Sequence, residues 1–437
     1  MQVTKYETNL KRKQFLKSSN AIIKDDKKNE ENRLINIYPE FLSQEFLGFG
    51  GALTGATCYN LSTCDEKIKD EILDEYFKKD NLNYSICRIS IGSSDFNKYS
   101  YSYSSKNSLN DFSIDEDMKY VVPIIKEAKN RNMSLKILAS CWSPPSFMKD
   151  NKKLTNGGSL LPEFKETYAK YLVKFIKAYE KENIDIDYIT IQNEPNAKQI
   201  WESCIYSAAE ELDLIKNYVY PEFKKNNIKT KILLWDHNKE KLISRYSKYD
   251  ISNEISGFAF HWYTGDHFEN IELLAKEYPA KLLFHTEGCT GYSMLKRCSQ
   301  IRNAEIYAHD IIGDLNAGVN GYIDWNMVLD NFGGPNHKFN FCNSPIMLNK
   351  KKNKFLKTLP FWYISHFAKF LKPGCFRIGY SKYTDKIELT AFKNIDNSVI
   401  IVLLNKTNKS VSYNLKINDK IFNDNISKHS IITYKLD

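Results

Sequence analysis

The chain has 437 residues and a mass of 50.9 kDa, too long for one ordinary small domain and about right for a 250–300-residue barrel with a smaller partner. Hydrophobic residues make up 42% and charged residues 26%, which excludes a globally disordered chain, and only 18 Gly excludes collagen-like or Gly-linker architectures. The net charge of +9 sits at the ends, in 1–45 and above all in 346–437, while 46–345 is mildly acidic; with no nucleic-acid motif among the dispersed Lys, this reads as solvated surface and not as a nucleic-acid footprint.

Nine Cys make no C-x-x-C pair, and no apolar run follows the early basic residues. The longest aliphatic run, Val399 to Leu404, is far too short to span a bilayer. These features predict a soluble, cytoplasmic protein of a reducing compartment with free thiols, or a secreted one if a leader has been trimmed from the start.

In chain order, Leu34–Tyr38 reads as a strand, followed by eight near-continuous apolar runs: Phe46–Phe49, Ile86–Ile91, Leu135–Ser140, Tyr188–Gln192, Lys231–Trp235, Gly257–Trp262, Lys281–Thr286 and Gly321–Trp325. Amphipathic stretches lie between them. Glu163–Glu182 places Phe164, Tyr168, Tyr171, Leu172, Phe175, Ile176 and Tyr179 at helical spacing, and Ala208–Asn226 and Ser299–Ala317 behave similarly. Eight strand–helix units predict a (β/α)8 TIM barrel over 46–345. A doubly wound open sheet is the alternative, but no G-x-G-x-x-G or P-loop follows any strand.

After Pro345 a Lys-rich stretch, Lys350–Lys357, leads to a helical segment, Phe361–Phe370. Strand-like runs follow at Phe376–Tyr380, Ile387–Phe392, Val399–Asn405, Val411–Ile417 and Ser430–Lys435, separated by Asn-rich turns. The spacing predicts a C-terminal β-sandwich over 346–437, joined by an N-terminal strand segment from 1–45.

Barrel chemistry gathers where strands end. The fourth strand ends in Gln192-Asn193-Glu194-Pro195 and the seventh in His285-Thr286-Glu287-Gly288-Cys289. Two carboxyls facing one pocket are the minimum equipment for cleaving a glycosidic bond: one protonates the leaving oxygen, the other attacks or activates water. Singly, Glu194 reads as a buried structural carboxylate and Glu287 as a helix cap; together, on two strands of one barrel, they point to catalysis. Trp142, Trp235, Trp262 and Trp325 stand at strand ends, and indole faces suit the C–H faces of sugars, although Trp also plugs barrel mouths as packing. No H-x-H or H-E-x-x-H occurs, so a metal site built on His261 and His285 is not expected, nor is any cofactor. Cys289 reads as packing or pocket lining.

The residues resemble glycoside hydrolase family 30, and within it the glucosylceramidase-like branch. The stretches that carry the resemblance are Gly48-Phe49-Gly50-Gly51-Ala52 with Thr54; Arg88 to Asp95-Phe96; Ala139 to Pro145 around Trp142; Asn193-Glu194-Pro195; His261-Trp262-Tyr263; Thr286-Glu287-Gly288-Cys289; and Asp324-Trp325-Asn326 followed by Gly333-Gly334-Pro335-Asn336. The resemblance implies a retaining β-glycosidase on a barrel fused to a β-sandwich. It implies Glu194 as acid/base and Glu287 as nucleophile, with carboxyls roughly 5 Å apart. It also implies that Asp95, Trp142, Asn193, Trp325 and Asn340 contact the sugar, with His261 and Tyr263 beside the carboxylates. Arg88 then either orients a carboxylate of the site or forms an ion pair in the barrel floor. Tyr99–Asn110 and the Ser-Cys-Ile-Tyr run after Trp201 depart from the lysosomal-type pattern, and no conspicuous apolar loop marks a ceramide-binding rim. A carbohydrate or glycoside substrate is expected, with an endo-β-1,6-glucanase or β-xylosidase of the same family as alternatives. A non-catalytic carbohydrate-binding protein is the alternative from another class, and it has no need of a matched acid and nucleophile. The oligomeric state is not indicated.

Overall fold

The eight apolar runs close into a parallel barrel in a computed structural model, which describes residues 2–292 and 297–437. Its strands are Gly48–Ala52, Ile86–Ile91, Lys136–Cys141, Tyr188–Thr190, Lys231–Asn238, Ile255–His261, Leu282–Glu287 and Gly321–Asn326. The first pairs with the second and the eighth, which closes the ring. Ile86, Leu138, Tyr188, Leu233, Ala259, Phe284 and Ile323 fill the interior, one from each of seven strands. The first strand is Gly-rich for a steric reason: a Cβ on Gly50 would lie 1.6 Å from the Ile86 carbonyl oxygen.

Lys165–Lys181 is the helix expected after the third strand, and Tyr168, Tyr171, Leu172, Phe175, Ile176 and Tyr179 form its buried face. The helix expected over Ala208–Asn226 opens on a capping box, in which Ser207 and Glu210 satisfy each other's backbone amides. It then runs as Ala208–Leu214, a π-turn at Ile215–Val219 and Tyr220–Lys225. Pro221 has no amide hydrogen to give the regular ladder, which accounts for the wider turn just before it.

The second module is one ten-stranded sheet. Its order is Gln14–Ala21, Val3–Asn9, Ser430–Leu436, Val399–Asn405, Glu388–Lys393, Cys375–Lys382, Leu34–Phe46, Val411–Ile417, Lys420–Ile426 and Lys24–Asp25. The sheet folds over a single core to which Val3, Ile35, Ile37, Leu403, Leu415 and Ile432 all contribute, giving the expected sandwich. The N-terminal contribution is larger than one strand. Val3–Asn9, Gln14–Ala21 and Lys24–Asp25 all join, and the strand expected at Leu34–Tyr38 continues to Phe46.

The expected module boundary at 345/346 falls inside a small sheet, because Val328–Asp330 pairs with Ile346–Asn349, which pairs with Lys354–Lys357. The next helix, Leu359–Ala368, is wedged between the modules. Its buried His366 bridges Thr433 and Thr8, each at 2.8 Å. Phe49 of the first barrel strand shares one apolar cluster with Phe46, Phe392, Val402, Leu404 and Ile431 of the sandwich. Among the described residues no helix is long and apolar enough to cross a membrane.

Candidate active site

Glu287 ends the seventh barrel strand and Glu194 follows the fourth. Oxygens of the two carboxyls come within 4.8 Å of each other. Glu287 is held from two sides. Its Oε2 accepts from Arg88 at 2.6 Å and its Oε1 from the Tyr263 hydroxyl at 2.8 Å. Glu194 takes a left-handed backbone conformation, φ 50°, and its amide donates to the Asp236 carbonyl at 3.0 Å. Its Oε1 lies 3.3 Å from Nδ1 of His261.

Beneath the pair lies a charged network. The guanidinium of Arg88, fully buried, also donates to Asn193 Oδ1 and Asp236 Oδ2, each at 2.8 Å, and stands over the Trp142 ring. Arg88 thus orients a carboxylate of the site and forms a barrel-floor ion pair at once. Asp236 further accepts from Ser140, Thr190 and Thr286 at 2.6–2.7 Å and meets His261 Nε2 at 3.1 Å. Burial favours its neutral form, but Arg88 and His261 outweigh it and hold the carboxyl far below the usual range. His261 is the mirror case. Burial lowers its pKa, but Glu287, Asp236 and Glu194 outweigh that and raise it to about 9. For Glu194 burial acts upward, and the bond to His261 with the charges around it brings the carboxyl below its ordinary value. The proton of the Glu194–His261 pair therefore rests on the imidazole.

Three strands are bulged where this site is built. Across the fifth and sixth strands Ala259 faces Trp235 and Phe260 faces His237, so Asp236 is the extra residue. Thr286 and Trp325 are extra in the same way on the seventh and eighth strands. A bulge re-aims the side chain at its position, and here it points Asp236 and Thr286 into one hydrogen-bonded cluster. Trp235 and Asp236 take φ of 80° and 53°, strained for non-glycine residues. Glu211 over-determines that turn: it accepts the Trp235 amide at 3.0 Å and bonds Arg245 and Tyr246.

The cavity above the carboxyls has a volume of about 390 Å³, within the range of small-ligand clefts. Asp95, Trp142, Asn193, Tyr263, Trp325 and Asn340 all line it. Asp95 Oδ2 accepts from Asn336 and Asn340 at 3.0 and 3.1 Å, while burial pushes its pKa up to about 7. Trp142 and Trp325 stack on one another with centroids 5.4 Å apart.

His261 stands beside Glu194 but is fully buried and does not form part of the wall. Two of the strand-end tryptophans stand elsewhere. Trp235 lies under Arg245, and Trp262 packs on Tyr307 beside a neighbouring hollow. Trp201 and His237 take places on the wall instead. Tyr99–Asn110 lines none of the cavity; Tyr101 and Tyr103 bond Asp117 of the following helix. His285 meets Asp314 and Asp310 in a buried cluster already occupied by the Lys239 ammonium, away from the two Glu. Asp236 escapes the sequence reading, although a carboxylate just after Trp235 at a strand end carries the same signal as Glu287. Phe332 and Phe339, 64% and 79% exposed, stand with Tyr292 and Phe341 around the loop that bears Asn340. None of them lines the cavity; scattered through a polar loop, they form no apolar run in the sequence.

The comparisons agree with this geometry. The Glycosyl hydrolase family 30 TIM-barrel domain matches residues 46–371, and the Glycosyl hydrolase family 30 beta sandwich domain matches 374–434. The lysosomal acid glucosylceramidase of Mus musculus is 30% identical over 429 residues, covering 92% of this chain and 83% of that protein. The crystal structure of SrfJ from Salmonella typhimurium has a TM-score of 0.97 at 30% identity, covering 100% of this chain and 99% of that one. The endo-beta1,6-glucanase BT3312 has a TM-score of 0.88 at 30% identity and covers 99% of both chains. With both modules matched in order and paired carboxyls at the barrel mouth, the chain belongs to glycoside hydrolase family 30 and is a glucosylceramidase-like retaining β-glycosidase.

Proposed function

We propose that Glu287 is the nucleophile and Glu194 the acid/base of this glycosidase, and that its preferred substrates are β-glucosides with an apolar aglycone. The observation that supports double displacement is the approach of the two carboxyls within 4.8 Å, too close to hold a water between them and a sugar carbon; the two-sided hold on Glu287 supports its place as the nucleophile. Arg88 and Tyr263 hold Glu287 from two sides and keep it aimed. Its oxygen attacks the anomeric carbon while Glu194 gives a proton, held in reserve on His261, to the departing oxygen. Water, deprotonated by Glu194, then cleaves the glycosyl ester on Glu287. Because Asn193 Oδ1 accepts from Arg88, its amide N–H groups face the sugar 2-OH, a bond that tightens in the oxocarbenium-like transition state. Asp95 accepts from hydroxyls at the far end of the ring. The exposed Phe332, Phe339 and Phe341 support the apolar aglycone. The likeness to BT3312 favours a second reading, an endo-β-1,6-glucanase.

Two measurements test this. Glu287→Gly should abolish turnover. Glu194→Ala should lose roughly 100-fold or more in kcat and regain activity on an activated aryl β-glucoside with azide, giving the β-glycosyl azide. Exchange of those two behaviours would reverse the assignment. For the aglycone, Phe339→Ser should lower kcat/KM on a fluorescent glucosylceramide roughly tenfold and spare an aryl β-glucoside. Turnover of β-1,6-gluco-oligosaccharides in preference to both would establish the second reading.

A further inference from the structure

We propose that Cys289 and Cys342 form a reversible dithiol–disulfide modification site on the wall of the sugar cavity, whose oxidation slows the enzyme. Their sulfurs stand 3.4 Å apart, and both residues line the cavity. The backbones that carry them are already paired: Tyr292 donates to the Phe341 carbonyl at 3.1 Å and Asn343 to that of Thr290 at 3.0 Å. A bond between the sulfurs therefore needs side-chain motion and no loop rearrangement. Among the described cysteines, all of them free, no other two thiols touch.

The chemistry balances with a peroxide as oxidant. One thiolate attacks a peroxide oxygen and the O–O bond breaks, leaving a sulfenic acid. The second thiol displaces its oxygen as water, so two S–H bonds give one S–S bond and hydrogen peroxide leaves as two waters. The hydrogen bond to Cys342, then burial, raise the Cys289 pKa, so the Cys289 thiol is protonated at neutral pH and its oxidation quickens as pH rises.

The consequence for catalysis follows from the neighbours. Cys289 Sγ lies 3.6 Å from the Tyr263 hydroxyl, the one that donates to Glu287. Two residues before Cys342, Asn340 bonds Asp95. The disulfide withdraws the Cys289 thiol from Tyr263 and ties the wall bearing Glu287 to the wall bearing Asn340. The rate effect rests on the proposed role of Glu287; formation of the bond does not.

The test uses the full-length protein freed of reductant and treated with hydrogen peroxide at mildly alkaline pH. Peptide mapping should find 289 and 342 cross-linked with loss of two hydrogens. Aryl β-glucoside kcat/KM should fall about fivefold or more and return with dithiothreitol. Binding of a glucose-configured iminosugar, measured by calorimetry, should weaken in parallel, which reads the cavity without turnover. In Cys342→Val the ratio of oxidised to reduced activity should stay near unity. Absence of the 289–342 cross-link, a cross-link that changes neither reading, or an equal loss in Cys342→Val would each overturn the proposal. A cross-link that weakens iminosugar binding in a protein inactive on glucosides would uphold the site and count against the proposed roles.

Discussion

His261 is wedged among three carboxylates with no water-facing edge, and its proton is part of the fold. Its folded pKa of about 9 lies above the ordinary 6.5. The stabilisation it gives is therefore complete below about 6.5 and is lost as pH rises through about 9. Urea unfolding of the wild type should show stability declining between about pH 7 and 10. In His261→Gln that decline should be shallower, and equal slopes would remove the charged imidazole from the account. At this scale the site was largely legible. Glu194 and Glu287 stand at or just past strand ends, where a carboxylate signals itself, whereas Asp95, Asn193, Tyr263 and Asn340 were legible only through the family resemblance. Asp236 and the inward turn of His261 were not legible, because bulges decide which way those side chains point, and a bulge leaves no mark in an apolar run.

The barrel strands announced themselves as apolar runs because helices cover their outer face and side chains fill the inner one. Lys420–Ile426 did not. Its Asn423, Asp424 and Asn425 disfavour strands, yet it pairs with Val411–Ile417 residue for residue. The N-terminal strands are half exposed and polar for the same reason: they lie toward the sheet's edge. Where elements meet, Glu211 ties the helix after the fourth strand to the bulge of the fifth without lining the cavity. Glu211→Ala frees the strained Trp235–Asp236 turn, and kcat should fall roughly tenfold with KM little changed. Glu211→Gln keeps an acceptor for the Trp235 amide and should recover part of that loss. Steady-state kinetics of both variants checks this, and a pure KM effect would assign Glu211 to substrate binding instead.

At the scale of the molecule, the two modules share one apolar cluster and a helix that is hydrogen-bonded to the sandwich through His366 and packed on barrel Phe49 through Phe367. A chain ending at Leu371 and lacking 1–45 would expose Phe46 and the faces of the helices that cover the sandwich. It should be insoluble or molten by near-ultraviolet circular dichroism. A soluble, active barrel from that truncation would make the sandwich an accessory. The overall architecture was legible because strand count and the change of pattern after Pro345 are global signals. The module boundary was less so, because Ile346–Asn349 reads as sandwich by composition yet pairs with Val328–Asp330 of the barrel side.

Val3–Asn9 lies against Ser430–Leu436, and Gln2 and Asp437 exchange backbone hydrogen bonds at 3.3 and 3.1 Å. Joined there into a ring, the chain would read as an uninterrupted sandwich, 374–437 running into 2–46, followed by an uninterrupted barrel. In the natural linear order, by contrast, the barrel interrupts the sandwich between Phe46 and Gly374. A permutant linked across 437 and 2 and opened at Pro373 would keep every strand partner while making each module contiguous. The sandwich could then form before the barrel is synthesised, whereas in the natural order its first strands wait for the last.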